Sequence, residues 1–318
     1  MYYPYFRGKQ YELIAVRESA DLFAASGFVP IIEPVRKGIP GRELSGLKKT
    51  IKCLEDAEAT AFIVSNPEHG ELVTDPSSIG ELFENDFQDH QYTGVGVLLN
   101  GGVTLDEVME FVDRYGDRPI AFIHSGSTEG RELANRLNGL ESDIRHLFVE
   151  EHCGKLYQGH FRGKNRILMR DGFQRQINKN YPVVEFFSDL HITYKDESVN
   201  GFGDFLMVGN EYSETGGPAY AVAIHLTFID GDKDGEMHIF HFVSDRQDTP
   251  TDPAGKFAEA LAKLVAEAER PDTLVERTPA LGEFIELYRI GHYPGLGHVK
   301  KLSMLHHVQT LANYFSND

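Results

Sequence analysis

Five polar residues stand at or next to the ends of short apolar runs, and their types suit acid–base chemistry or ligand binding. They are Glu33, Asn66, Asn100, His124 and Glu150. Carboxylates and imidazoles transfer protons, and carboxylates also hold divalent cations. If the runs are parallel strands, their carboxyl ends meet on one side of the sheet, where ligands bind in such folds. We therefore predict Glu33, His124 and Glu150 as catalytic candidates and the two asparagines as ligand-binding candidates.

The apolar runs alternate with segments that have helical periodicity, such as the one marked by Leu44, Leu47, Ile51 and Leu54. Continuously apolar runs are typical of parallel strands that are covered on both faces. A closed (β/α) barrel and an open doubly wound sheet both fit this alternation. We favour the barrel because no run is followed by Gly-x-Gly-x-x-Gly and because the strand ends repeatedly deliver polar groups. The predicted strands are 28–35, 61–64, 95–99, 119–123 and 146–149.

The second half of the chain is less regular. Residues 166–171 are strand-like, residues 178–188 fit either strand or helix, and residues 195–217 predict a long loop with a short strand at 205–208. Two clear strands, 221–229 and 237–243, predict a β-hairpin. Three amphipathic helices follow, at 252–269, 281–290 and 299–315. We expect a barrel-like domain over 1–250 and a helical extension over 251–318 that packs on it.

Composition restricts the class of protein. The formal net charge of −18 disfavours direct binding of nucleic acid by this chain alone, since that requires a basic face. No apolar run is long enough for a membrane span, and the first residues lack the order of a signal peptide. The two cysteines, Cys53 and Cys153, are too few for a disulfide framework and suit a reducing compartment. These features favour a cytoplasmic protein.

Other motifs carry weaker signals. The acidic loop Asp230–Gly235 resembles the start of an EF-hand, but its twelfth position is His241 instead of glutamate, so we predict a polar hairpin turn. Strand pairing can bring His225 opposite His241. No compact metal-ligand motif occurs, no cofactor is indicated, and neither Ser125 nor Cys153 has the sequence signature of an activated nucleophile.

Four segments resemble the Beta protein family, whose members occur in phages and in bacterial mobile or defence-associated loci. The opening pair, Tyr3–Leu13 and Pro30–Val35, is similar to the start of that family. Two later segments, Gly203–Phe205 and Gly216–Leu226, are similar to it as well. The resemblance spans most of the chain up to about Ser244.

The resemblance implies a barrel-like α/β fold and carries no assigned reaction. Some bacterial relatives are encoded beside a predicted nuclease-fold protein, which implies a two-component phage-defence or conflict system. The positions of interest that transfer from the family, without catalytic roles, are Arg7, Lys9, Gln10, Glu33, Asp204 and His225. All of these except Glu33 are candidate ligand-binding residues.

Two functions remain open from the sequence. The first is a sensor or scaffold of a phage-defence or mobile-element system, which acts with a second protein, for instance a nuclease-fold protein encoded nearby. The alternative is a TIM-barrel-type hydrolase or lyase that acts on a small phosphorylated or nucleotide-like ligand through Glu33, His124 and Glu150. The acidic charge disfavours a nuclease that acts directly on DNA.

Overall fold

The computed structural model describes residues 1–127, 129–140, 143–214 and 217–316. Its contacts divide the chain into two compact units. Unit 1 contains Met1–Arg170 together with Thr193–Asp204, and unit 2 contains Asp171–Ile192 together with the residues from Phe205 onward. The chain therefore leaves unit 1, enters unit 2, and returns to unit 1 for one last strand. The domain boundary expected near residue 250 stays a prediction.

Unit 1 is built on a closed barrel of eight parallel strands. This confirms the predicted (β/α) barrel and excludes the open doubly wound sheet. In spatial order the strands are β1 (Tyr2–Phe6), β2 (Ile31–Ile32), β3 (Ala61–Val64), β4 (Thr93–Leu99), β5 (Ile120–His124), β6 (Ile144–Val149), β7 (Asn165–Met169) and β9 (Gly201–Asp204).

Helices connect these strands, as parallel pairing requires. They are α1 (Gln10–Glu18), α2 (Ala20–Ser26), α3 (Ser45–Asp56), α4 (Ser77–Glu81), α5 (Leu105–Tyr115), α6 (Gly130–Arg136) and α7 (Lys155–Gly159). α5 begins with a capping box, in which Thr104 and Glu107 satisfy each other's backbone N–H groups. The first two helices, α1 and α2, are divided at Ser19.

Contacts distinguish the two faces of the barrel strands. On one face the side chains pack against the surrounding helices, as Phe6 does against Phe23 of α2 and Phe122 against Phe111 of α5. Because successive side chains of a strand point to opposite faces, the alternate residues fill the barrel interior. The strand register assigns Tyr5, Ile31 and every residue paired with them to that inner face.

Glycines on the inner face make room for the large interior side chains. A Cβ atom on Gly94 of β4 would lie only 2.6 Å from the ring of Phe62. The same ring lies 5.0 Å from the guanidinium of Arg145, which is also on the inner face. On β9, a Cβ atom on Gly201 would lie 2.9 Å from the ring of Tyr3. The glycine-rich sequence of β9 is therefore a packing requirement.

The sequence did not predict two of the barrel strands, β1 and β9. β1 contains Pro4, and a proline within a run argues against a central strand because it cannot donate to the ladder. β9 was expected to be loop, and the strand expected at 205–208 is a 3₁₀ turn at Leu206–Val208. The glycines that hid β9 fit the crowded interior of the barrel.

Unit 2 contains an antiparallel sheet of three strands in the order β10 (Ala223–Asp230), β11 (Glu236–Val243), β8 (Val184–Ser188). The predicted hairpin is confirmed, and its turn lies in the acidic loop, where Asp230 pairs with Glu236. The ambiguous segment 178–188 supplies β8. The helices that follow β7 are α8 (Leu190–Thr193), α9 (Pro253–Ala268), α10 (Pro279–Ile290) and α11 (Leu296–Ser316).

The three C-terminal helices confirm the helical periodicity of the sequence. α9 and α10 each have proline in their first turn. The side chain of Asp252 accepts a hydrogen bond from the backbone N–H of Gly255 at the start of α9, and that of Thr278 accepts one from Leu281 at the start of α10. α11 packs on β10, where Thr227 Oγ1 lies 2.9 Å from Nδ1 of the buried His307. None of the helices in the described part of the chain combines the length and apolar character needed to cross a membrane.

Candidate functional site at the carboxyl ends of the barrel strands

Glu33 is the centre of a buried polar network at the end of β2. Its side chain is only 1% exposed. Tyr5 of β1 donates a hydrogen bond to Oε2 at 3.0 Å, and Nε of Arg7 lies 3.5 Å from the same oxygen. The backbone N–H of Glu68, after β3, donates to Oε1 at 2.9 Å. The carboxylate at the end of β2 is therefore held by groups from the ends of its two neighbouring strands, β1 and β3.

These contacts keep Glu33 ionised. Burial alone raises the pKa of a carboxyl group, but the hydrogen bonds from His69 and Tyr5 and the charges of His69 and Arg7 outweigh burial, so the pKa of Glu33 lies below its usual value. The same carboxylate, together with burial, raises the pKa of Tyr5 well above its usual value. Tyr5 is therefore a fixed donor, and Glu33 a fixed acceptor.

His69 completes the network and is partly accessible. Its Nδ1 atom lies 2.9 Å from Oε1 of Glu33, and its side chain is 28% exposed. Because an ionised carboxylate can only accept, Nδ1 must carry the proton. In the neutral imidazole this tautomer leaves the lone pair on Nε2. A carboxylate that orients a histidine in this way is the arrangement of a general acid–base catalyst.

The network extends to the end of β4 through a second carboxylate. Nδ2 of Asn100 donates to Oε1 of Glu68, while its Oδ1 accepts the backbone N–H of Gly102 at 2.9 Å. Asn66, by contrast, makes two hydrogen bonds with the backbone of Leu98, at 3.0 and 2.8 Å. Asn100 therefore belongs to the site, whereas Asn66 fastens the loop after β3 to β4.

The loop after β1 packs directly on Glu33. Gly8 has a φ of +59°, and a Cβ atom there would lie 2.9 Å from the carbonyl oxygen of Glu33. Lys9 and Gln10 follow, and α1 begins at Gln10. The positive end of a helix dipole and the Lys9 ammonium therefore lie on the same loop as Arg7.

His124 lies on the other face of the barrel wall. Its Nδ1 is 2.7 Å from the hydroxyl of Tyr157, and its Nε2 is 3.0 Å from Nδ1 of His146. The ring stacks on Phe148 at 4.4 Å and contacts Phe161 beyond α7. Burial, followed by the charge of His146, lowers the pKa of His124 well below its usual value. The expectation that His124 lies beside Glu33 was wrong, because the register turns its side chain outward.

Glu150 forms a separate ion pair. Its oxygens accept from Nε and Nη2 of Arg170 at 2.6 and 3.4 Å, and both side chains are partly exposed. Glu33, His124 and Glu150 thus make their polar contacts with three different sets of residues. The structure therefore does not bring these three residues together as one catalytic site.

Asp204 at the end of β9 is also on the outer face. Tyr2 donates to its Oδ1 at 2.8 Å, and both side chains are buried. Burial raises the pKa of Tyr2 well above its usual value, and the charge of Asp204 adds to the effect. The pair joins the first and last strands of the barrel, which favours a structural role for Asp204.

His225 lies in unit 2, within a relay of hydrogen bonds. Its Nδ1 is 2.7 Å from Nδ1 of His241, whose Nε2 is 3.0 Å from Oε1 of Glu185. Tyr181 stacks on His241 at 4.5 Å, and Phe173 contacts His225 edge-on at 5.1 Å. Burial lowers the pKa of both histidines, that of His241 to about 4. The predicted cross-strand pairing of the two histidines is confirmed.

Sequence reasoning missed His69, Glu68 and Tyr5. A signal was present, since Glu68 and His69 stand only two and three residues beyond Asn66, at the end of a predicted strand. It also missed the contact of Ser125 Oγ with Nδ1 of His152 at 2.8 Å.

Cys153 is no nucleophile candidate in this structure. Burial raises the pKa of its thiol to about 11, and its Sγ donates to the carbonyl oxygen of His124. Within residues 1–127, 129–140, 143–214 and 217–316, no group of three or more His, Cys, Asp or Glu side chains is arranged to hold a metal ion.

Fold and site together define an eight-stranded parallel α/β barrel with a buried carboxylate–histidine pair at the carboxyl ends of its strands. Comparison of the chain with protein-family models found no matching family, and comparison with curated proteins found no significant match.

Proposed function

We propose that the protein is a hydrolase or lyase that acts on a small phosphorylated or nucleotide-like ligand at the carboxyl ends of the barrel strands. The observation that carries this proposal is the hydrogen bond between Nδ1 of His69 and the buried carboxylate of Glu33. It supports His69 as the acid–base catalyst and Glu33 as the residue that positions it.

The chemistry follows from the tautomer. Nε2 of His69 accepts a proton from water or from the substrate, and the imidazolium that forms is stabilised by the ionised Glu33. The proton then returns from Nε2 to the leaving group. Arg7 and Tyr5 hold Glu33 in place through this cycle, because both contact its Oε2 atom.

The loop after β1 is the proposed phosphate-binding element. Lys9 and the amino terminus of α1 provide positive charge and backbone N–H groups for an anion. Asn100, on the loop after β4, provides an amide for the rest of the ligand.

The test is turnover of a substrate panel that contains p-nitrophenyl esters, p-nitrophenyl phosphates and nucleotides. We expect the protein to turn over at least one member and Glu33→Gln to lose most of that activity. Glu55→Gln is the matched control, since Glu55 is a partly buried carboxylate that accepts from Tyr92 and Thr93 before β4, at the opposite end of the strands. Lack of turnover by the wild type, or equal losses in both variants, would contradict the proposal.

We also propose, as a second candidate, that the protein is a sensor or scaffold of a phage-defence or mobile-element system, as the resemblance to the Beta protein family implies. Its partner would be a second protein, for instance a nuclease-fold protein encoded nearby. A feature of unit 2 favours a partner. Val183 is 73% exposed, and Ile177 and Phe186 are exposed as well, in and before the edge strand β8. Exposed apolar side chains near a sheet edge are typical of association surfaces.

Co-purification from the native locus tests this second candidate. A stable second protein is expected with the wild type, and Val183→Glu should weaken its recovery. Val73→Glu is the control, because it places the same charge at an exposed apolar position of unit 1. Recovery of the protein alone, with full activity, would count against the candidate.

A further inference from the structure

A cleft of about 450 Å³ lies on the outer side of the barrel in unit 1, beside α7 and the residues that precede β9. Residues 194–200, which lead into β9, form turns and bends instead of a helix. The cleft is bordered by these turns on one side and by α7 and the turn after it on the other. Its volume is within the range of small-molecule sites.

Arg166 supplies a buried charge at the base of this cleft. It is the second residue of β7 and pairs with His146, which contacts Phe161 on the helix side of the wall, so its side chain also points outward. The residue is only 9% exposed. Its Nη2 donates to the carbonyl oxygen of Ser198 at 2.7 Å. A carbonyl group satisfies the hydrogen bond but does not neutralise the charge.

Arg162 places a second guanidinium on the same cleft. Burial lowers the pKa of Arg166 and the nearby charge of Arg162 lowers it further, while the charge of Glu197 offsets part of this effect. Two like charges near each other, one of them buried, repel each other and are unfavourable without a counter-ion. An anion between them would lower both the free-energy cost of the buried charge and the repulsion between the two guanidinium groups.

The remaining charges of the cleft cancel. Nζ of Lys155 lies 3.3 Å from Oε1 of Glu197, and both residues line the cleft. The lining therefore carries three positive charges and one negative charge, which leaves +2. This excess occurs on a chain whose formal net charge is −18. The charge of +2 matches a dianion, and paired guanidinium groups match phosphate oxygens in geometry.

We propose that this cleft binds a small molecule that carries one or two phosphate groups, with Arg162 and Arg166 as its phosphate ligands. The site is separate from the Glu33 network and does not depend on the function proposed for it. Pyrophosphate and a nucleoside diphosphate share the required chemistry, and both are within the capacity of the cleft.

Gly159, the last residue of α7, allows a test that leaves the arginines in place. A Cβ atom there would meet no atom within 4 Å, and Gly159 lines the cleft, so a side chain at this position begins beside the cleft without a clash at its Cβ atom. Gly159→Glu adds a carboxylate beside the two guanidinium groups. Gly159→Gln adds a side chain of the same shape without the charge, and is the matched control.

The measurement is isothermal titration calorimetry of the full chain with pyrophosphate and with ADP at low ionic strength. We expect at least one of the two to bind the wild type and Gly159→Gln with similar affinity, and to bind Gly159→Glu at least tenfold more weakly. Arg166→Met should show a comparable loss. Tighter binding of ADP than of pyrophosphate would support the site and identify a nucleotide ligand. Equal affinity for the two compounds would support the site and show that it recognises only the phosphate groups. Absence of binding of both compounds to the wild type, or equal binding by the two Gly159 variants, would overturn the proposal.

Discussion

Nδ1 of His69 lies 2.9 Å from Oε1 of Glu33, and this contact joins the loops that follow two neighbouring strands, β2 and β3. One partner is buried and ionised, and the other is partly exposed. The buried partner fixes the tautomer of the accessible one. The imidazole of His69 is therefore the member of the pair that solvent or a ligand can reach.

Tyr5→Phe tests how strongly the network holds Glu33. The substitution removes the hydroxyl that donates to Oε2 at 3.0 Å and leaves the packing of the ring intact. We expect the free energy of unfolding to fall by about 2 kcal/mol, as is typical for a hydrogen bond to a charged group. Urea denaturation is the measurement, and Tyr220→Phe, at an exposed position, is the control. Equal stability of Tyr5→Phe and the wild type would show that the hydroxyl does not hold the carboxylate.

Gly94→Ala tests the packing of the barrel interior. The new Cβ atom would lie 2.6 Å from the ring of Phe62 and 2.8 Å from the carbonyl oxygen of Pro119. Overpacking of this kind costs about 1–3 kcal/mol. Gly96→Ala is the matched control on the same strand and face, since its nearest neighbour, Ile123 Cδ1, would be 3.4 Å away. Thermal unfolding should rank Gly96→Ala as clearly more stable than Gly94→Ala, and the reverse order would contradict the assignment of the inner face.

From the burial of His306 we predict that the protein loses stability in mild acid. It is buried, with Nε2 3.0 Å from the Thr227 carbonyl oxygen and Nδ1 2.8 Å from Oγ1 of Thr278, and burial lowers its pKa to about 4. An unfolded histidine has a pKa of about 6.5. Between these values the unfolded state binds a proton that the folded state does not, so the free energy of unfolding falls as the pH falls from about 6.5 to 4. At about 1.4 kcal/mol for each pKa unit, the difference between these two pKa values contributes roughly 3 kcal/mol to the free energy of unfolding at neutral pH.

The measurement for this prediction is urea denaturation at pH 7.5 and pH 5. His306→Gln should be less stable than the wild type at pH 7.5 and should lose less stability on acidification. His292→Gln, which changes an exposed side chain, is the control. A pH dependence in His306→Gln as steep as that of the wild type would refute the role of His306.

The sequence predicted the alternation of strands and helices because covered parallel strands are continuously apolar. The same continuous apolar character prevented the sequence from indicating which residues form the site. A continuously apolar run does not reveal which of its alternate residues face the interior, so Glu33 and His124 looked equivalent. His124 points outward from β5 and stacks on Phe148, whereas Glu33 accepts a hydrogen bond from the inward-facing Tyr5. β1 was missed because Pro4 argues against a central strand, and β9 was missed because its glycines, which the packing of the barrel interior requires, are typical of loops.

The most direct test of the central proposal compares His69→Gln with His90→Gln in the substrate panel. Both histidines are partly exposed and lie near a carboxylate, but His90 precedes β4, at the opposite end of the strands, where its Nδ1 is 3.7 Å from Glu55. We expect kcat/KM to fall at least 100-fold in His69→Gln, as is typical for the loss of a general acid–base group, and to stay close to that of the wild type in His90→Gln. Equal activity of the two variants would contradict the assignment of His69 as the acid–base catalyst.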